Sequence, residues 1–171
     1  MVETAKYDVL REEGDFEIRR YHEMIVASVE DPNGSQFRVL FNYISGANRS
    51  KQKINMTSPV ISSEKIAMTS PVINSTNSMS FVVPEKYNME TVPEPTDERV
   101  TLNKIPERHV ATVRFSGFAW KNSVNKQTKR LLDWVTGEEL EMKGKPFLMQ
   151  YNAPYVPGFL RRNEIGVEIE Y

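Results

Sequence analysis

The chain has 171 residues, of which 22 are basic and 23 acidic, so its formal net charge is -1. A chain of this length suits one domain, which we expect to span residues 1–171. Nucleic-acid-binding domains normally carry an excess of basic residues, so we expect no nucleic-acid partner. The chain has no cysteine, which excludes disulfides, iron–sulfur clusters and thiolate ligation of a metal.

The N-terminal residues lack the charged start and apolar run that define a signal peptide. No segment approaches the roughly 18 apolar residues that a membrane-spanning helix needs. We therefore expect a cytoplasmic monomer without a membrane partner.

The first predicted elements are two strands and a helix. Alternating residues predict a strand around Phe16–Tyr21, and Met24–Val29 is a second extended run that ends at an Asp-Pro-Asn-Gly turn. A helix follows and ends at Gly46, where a left-handed C-cap residue is expected. Its apolar face consists of four residues at helical spacing: Phe37, Leu40, Phe41 and Ile44.

A direct repeat follows this helix. Residues 54–61 read INMTSPVI and residues 66–73 read IAMTSPVI. The proline of each copy lacks a backbone N–H, so we expect edge strands or loops that lead into strands.

The same order of elements then recurs. Met79–Val83 is a predicted strand that completes a first half. The predicted elements of the second half are the strands Val100–Ile105 and His109–Phe115, a helix over 119–135 that Gly137 ends, and the strands Phe147–Tyr151 and Ile165–Ile169. Two strand–strand–helix–strand–strand halves predict an α+β fold, in which an antiparallel sheet curls against two helices and leaves a groove for a small ligand.

Six short motifs, in this order, cover most of the chain. They are FEIRRY (16–21), YISGAN (43–48), the doubled MTSPV segment, RFSG (114–117), YNAP (151–154) and FLRRNE (159–164). In content and spacing the chain resembles the prokaryotic branch of the SOUL family of heme-binding proteins. The resemblance implies a distorted antiparallel β-barrel flanked by two helices, built from two pseudo-symmetric halves. It also implies non-covalent binding of heme or related tetrapyrroles, and kinship with GyrI-like small-molecule-binding domains.

Histidine is the commonest protein ligand of heme iron, and the chain has two, His22 and His109. In the vertebrate branch of the family, a histidine just before the tyrosine of the opening strand is the proposed axial ligand, and Arg20 stands at that place here. His22 lies two residues further on, so we expect it on the same strand face and take it as the candidate metal ligand. The alternative is a surface histidine, and His109 lies near a predicted turn. Met56 and Met68 could also ligate iron, although methionine more often fills core space.

The resemblance further implies that heme lies against the first helix. The face formed by Phe37, Leu40, Phe41 and Ile44 would be the apolar wall of such a site. Cations around this helix could meet the propionates: Arg38, Arg49, Lys51 and Lys53. The alternative is that the apolar stripe is ordinary core and the cations form a solvated face.

Glu164 is the candidate for a different function. In GyrI-like relatives a glutamate of the closing strand faces the ligand groove, and Tyr151 and Tyr155 could line the same groove here. Such a carboxylate could bind a cation, or act as a general base if burial raised its pKa. The alternative is a salt bridge with Arg161 or Arg162. We expect a non-catalytic carrier or buffer of tetrapyrroles; a GyrI-like groove hydrolase using Glu164, or a ligand-sensing interaction module, are the alternatives.

Overall fold

The computed structural model describes residues 2–31, 34–50, 63–152 and 155–171. The first copy of the repeat, with Met56, therefore lies outside the described residues, as do Lys51 and Lys53. Within the described ranges the chain forms, in order, β1 Glu3–Thr4, β2 Tyr7–Glu13, β3 Phe16–Tyr21, β4 Met24–Glu30, α1 Gln36–Ser45, β5 Asn48–Arg49, β6 Thr69–Ser70, β7 Val72–Asn74, β8 Ser78–Val82, β9 Glu94–Pro95, β10 Val100–Ile105, β11 Arg108–Phe115, α2 Lys121–Gly137, β12 Phe147–Gln150, a short 3-10 helix Gly158–Leu160, and β13 Asn163–Ile169.

Nine of the strands form one antiparallel sheet in the order β10-β4-β8-β7-β12-β13-β11-β3-β2. The sheet curls into a half-barrel. Helix α1 packs on β4, β8 and β10, and α2 packs on β11 and β13. The strand order is nearly symmetric about the β7–β12 pair, so each half of the sheet carries one helix. The predicted fold class is confirmed.

The two halves exchange their first strands. β3 is the first strand of the first half but pairs with β11 of the second half, with Ile18 opposite Ala111. β10 is the first strand of the second half but pairs with β4 of the first, with Leu102 opposite Ala27. The predicted order of elements is therefore present, but each half of the sheet is completed by a strand from the other half of the sequence.

Each helix ends near the predicted glycine. Gly46 follows α1 with φ of 131°, a conformation in the left-handed region that glycine adopts without steric cost. Gly137 is the last residue of α2. Leu131 and Val135, four residues apart, form the fully buried part of the α2 face.

Alternation along the strands decides which residues can form a site. Ile18 and Ile165 belong to the core beneath α2. Because successive side chains of a strand point to opposite faces, the neighbouring residues Arg19 and Glu164 face away from α2. Met68 packs against the other core, beneath α1, which confirms core packing for that methionine.

No helix in the described part of the chain is long and apolar enough to cross a membrane.

Candidate functional site

The face of the sheet opposite α2 carries a buried ion pair. Arg19 is 2% exposed and Glu164 is fully buried. The two Arg19 terminal nitrogens, Nη1 and Nη2, donate to Oε1 and Oε2 of Glu164, each at 2.7 Å. Arg162 donates from Nη2 to both Glu164 oxygens at 3.2 Å, and the Nε of Arg19 donates to Glu17 Oε2 at 2.6 Å. Two cations and two carboxylates therefore balance one another, with Arg19 and Glu164 buried and Arg162 and Glu17 partly exposed.

Three tyrosines enclose this ion network. Arg19 Nη1 donates to the Tyr21 hydroxyl at 2.9 Å and its guanidinium lies 4.2 Å from the centre of the Tyr7 ring. Arg162 donates to the Tyr7 hydroxyl at 3.0 Å and stacks 4.1 Å above the Tyr151 ring. Burial raises the pKa of Tyr21 and of Tyr151, so both phenols stay neutral at physiological pH. The rings thus shield the charges from water.

The environment of Glu164 keeps this residue ionised. Burial by itself would raise its pKa, but the hydrogen bonds and charge of Arg19, with the charge of Arg162, hold the pKa below its usual range. A general base needs a raised pKa and a free oxygen, and the described contacts engage both oxygens. The predicted salt bridge with Arg162 is present, whereas the main partner, Arg19, was not predicted.

His22 lies directly after β3 and is half-exposed. Its Nε2 is 2.9 Å from Asp8 Oδ2, and Arg20 Nη2 donates to the same oxygen at 2.9 Å. His22 and Arg20 therefore share a face, as predicted. The hydrogen bonds from His22 and then Arg20 lower the pKa of Asp8, so Asp8 remains a carboxylate that orients the imidazole.

His22 also lines a cavity of about 260 Å³ at the N-terminal edge of the fold. Met24, Met89 and Tyr87 contribute to its lining, as does Lys104. The Tyr87 hydroxyl is buried and has no hydrogen-bond partner among the described residues. The volume lies just below the roughly 300–1,000 Å³ that is typical of small-molecule sites. The cavity can therefore admit part of a large planar ligand but cannot enclose it.

The predicted apolar wall on α1 divides into two pairs. Leu40 is fully buried and Ile44 nearly so, and both belong to the core. The prediction that these two residues contact a ligand is therefore wrong. Phe37 and Phe41 are about half-exposed and stack with ring centres 6.1 Å apart. Phe37 also meets the edge of Phe81 at 5.5 Å. Only this stacked pair presents an apolar surface on α1.

The structure does not bring the remaining candidates together. Among the described residues, the lining of the His22 cavity includes none from α1. His109 lies on β11 beside the ring of Tyr171, 6.0 Å away, and Tyr155 is exposed. No group of three or more His, Asp or Glu residues in the described ranges has the arrangement of a metal site.

The curled sheet with two flanking helices occurs in solved structures. A hydrolase from Listeria innocua has a TM-score of 0.58 at 12% identity, over 94% of this chain and 94% of that one. The C-terminal domain of EcmrR has a TM-score of 0.61 at 14% identity, over 96% of this chain and 98% of that one. Such low identities show a common fold alone.

The sequence comparisons are more specific. No curated protein matches the chain significantly. The profile of the SOUL heme-binding proteins matches residues 2–168, so the chain belongs to the SOUL heme-binding protein family.

Proposed function

We propose that this protein binds heme or a related tetrapyrrole non-covalently and serves as a carrier or buffer, as a monomer in the cytoplasm. Membership of the SOUL heme-binding family, across residues 2–168, is the observation that carries the proposal. The chain has no cysteine, so attachment through thioether bonds is excluded.

The stacked pair Phe37 and Phe41 is the proposed surface for the macrocycle. Both rings are about half-exposed, and a flat apolar ligand would remove this surface from water. Arg38 and Arg49 are exposed near the pair in sequence and supply cations for the propionates. Because the surface is open, binding is expected to be reversible and weak compared with that of globins.

His22 is the proposed iron ligand if heme binds at the cavity that His22 lines instead of on α1. Its Nε2 contact with Asp8 suits donation of the Nε2–H to the carboxylate, which leaves the Nδ1 lone pair for a metal. Ligating histidines in proteins usually donate their other ring N–H in this way. The donor chemistry therefore fits heme iron, and Asp8 would fix the tautomer and orientation of the imidazole.

A heme titration of two variants separates these surfaces. Phe41→Asp places a charge against the macrocycle, so we expect it to weaken binding at least about tenfold, roughly 1.4 kcal/mol. If His22 ligates the iron, His22→Ala should shift the Soret maximum and weaken binding about tenfold or more. If the surface on α1 dominates, as we expect, His22→Ala should change little. Phe41 and His22 are both half-exposed, so circular dichroism should show an intact fold in each variant.

Phe159→Asp is the matched control, because it places the same charge on an exposed aromatic residue elsewhere. Unchanged affinity in Phe41→Asp together with lost affinity in His22→Ala would move the site to the His22 cavity. A wild-type protein without any Soret change on titration would contradict the proposed function itself.

Hydrolysis of a small ligand by Glu164 is the alternative function. The geometry favours it less, because Arg19 and Arg162 occupy both carboxylate oxygens. Turnover of a substrate that is lost in Glu164→Gln, with the fold intact, would favour the enzyme over the carrier.

A further inference from the structure

Two loops at one end of the sheet expose a group of large apolar side chains. Residues 116–120 lead from β11 into α2, and residues 155–161 precede β13. The Gly117 N–H donates to the Gly158 carbonyl at 2.9 Å, which ties the loops together. We name the exposed group the aromatic tip; it consists of Phe118, Trp120, Phe159 and Leu160.

The side chains of the aromatic tip are largely exposed to solvent. Trp120 is 70% exposed and Phe159 is 77% exposed. The rings of Phe118 and Trp120 stack 5.4 Å apart, and the Arg161 guanidinium lies 4.7 Å from the centre of the Phe118 ring. Soluble proteins rarely leave several large apolar residues exposed side by side, and such a patch usually marks an interaction surface.

A cationic depression lies beside the tip. It has a volume of about 540 Å³, and Phe159 and Leu160 form part of its wall. Four arginines contribute to its lining: Arg114, Arg130, Arg161 and Arg162. Asp15 is the one acidic residue among the described lining residues, and it is paired with Arg130 at 3.1 Å. Arg114 is exposed and forms no ion pair within the described ranges.

We propose that this end of the protein docks on an anionic phospholipid bilayer, with the aromatic tip in the interfacial layer and the arginines against lipid phosphates. Aromatic residues with an apolar body and a polar edge favour the membrane interface, and basic residues are attracted to anionic headgroups. Arg130 is paired with Asp15 and Arg162 with Glu164, so the exposed Arg114 supplies the positive charge that complements such a surface.

This inference does not depend on tetrapyrrole binding. It adds a membrane partner where the sequence, which has no membrane-spanning segment, led us to expect none. A peripheral contact needs no spanning helix.

The test is co-sedimentation of the full chain with vesicles. We expect binding to vesicles of phosphatidylcholine mixed with phosphatidylglycerol, and little binding to phosphatidylcholine alone. High salt should weaken the binding, because it screens the attraction between arginine and headgroup. The double substitution Trp120→Ser with Phe159→Ser should weaken it by about tenfold or more, since each ring contributes apolar area.

Two further variants test whether vesicle binding is specific to the aromatic tip and whether it depends on charge in the depression. Phe37→Ser with Phe41→Ser removes two exposed rings from α1 and should leave vesicle binding unchanged. Arg114→Glu reverses one charge in the depression and should reduce binding to the anionic vesicles several-fold.

Fluorescence reports directly on the tip. The chain has two tryptophans, so Trp134→Phe leaves Trp120 as the reporter. We expect a blue shift of Trp120 emission with anionic vesicles, because the indole leaves water.

Three results would overturn the proposal. One is a failure to sediment with anionic vesicles, and another is binding that the double variant at Trp120 and Phe159 leaves intact. The third is a dimer in analytical ultracentrifugation that this double variant abolishes, without vesicle binding by the wild type. That last result would assign the aromatic tip to a contact between two copies of the chain.

Discussion

Removing the charge of Glu164 should destabilise the fold strongly. Glu164→Gln keeps the size of the side chain but leaves the buried guanidinium of Arg19 without its bidentate partner. Breaking a buried pair by removing one partner typically costs about 3–5 kcal/mol, because an uncompensated charge stays out of water. Glu17 still contacts the Nε of Arg19 at 2.6 Å, so we expect a loss near the lower end, about 3 kcal/mol.

A double variant that removes the charges of both Arg19 and Glu164 is the matched comparison for Glu164→Gln. Arg19→Met combined with Glu164→Leu replaces the pair with apolar side chains of similar size, a change that is often close to neutral for buried ion pairs. Arg162 and Glu17 lose a partner in this variant, but both are partly exposed and can be hydrated. We therefore expect the double variant to be more stable than Glu164→Gln alone.

Urea denaturation with linear extrapolation measures these differences, and an unchanged slope shows that the unfolded state is comparable. A loss of about 3 kcal/mol corresponds to a fall in Tm of roughly 6–12 °C for a domain of this size. Asp133→Asn is the surface control, because its ion pair with Lys129 is largely exposed and should contribute nothing measurable. If Glu164→Gln were as harmless as Asp133→Asn, the argument that the network is shielded from water would be wrong.

Three further results are expected. The pKa of Glu164 is lowered in the folded state, so ionised Glu164 stabilises the fold fully above the unfolded value of 4.5, and this stabilisation is lost as the pH falls through the folded pKa. Acid unfolding of Glu164→Gln should therefore depend less on pH than that of the wild type. Gly166→Ala should lower the free energy of unfolding by about 1–3 kcal/mol in urea denaturation, because the added Cβ would lie 2.8 Å from the Phe147 ring. An unchanged stability would show that the ring can move away. Leu40→Ala should lower the free energy of unfolding by about 2–5 kcal/mol, because it leaves a cavity in the core beneath α1, whereas Phe41→Ala should lower it far less. Equal losses in urea denaturation would contradict the finding that Leu40 is core and Phe41 is surface.

Local patterns predicted the elements well but not their partners. Val100–Ile105 was predicted with the observed bounds of β10, and the glycine signals placed the ends of both helices within two residues. The exchange of β3 and β10 depends on pairing between distant segments. No periodicity in the sequence reports such pairing, because alternation shows only which face a residue takes.

The candidate site shows the same limit. Alternation placed Arg19 opposite to Ile18, yet nothing nearby in the sequence indicated that this face would be covered or that Glu164, 145 residues away, would meet it. Helical spacing grouped Phe37 with Leu40, because both fall on one broad apolar stripe. How much of such a stripe the sheet covers depends on the angle at which the helix packs, which the sequence does not encode locally.

The exchanged strand β3 affects the order in which the protein can fold during synthesis. The β2–β3 hairpin is made early, but its neighbour β11 follows only at residues 108–115 and β13 at 163–169. Until Glu164 has left the ribosome, Arg19 has no bidentate partner and the hairpin leaves an edge unpaired. The first half of the sheet can form earlier, because both strands that pair with β4, namely β8 and β10, have been synthesised by residue 105. Synthesis therefore favours folding around α1 first, with the N-terminal hairpin docking last onto a half that is made after it.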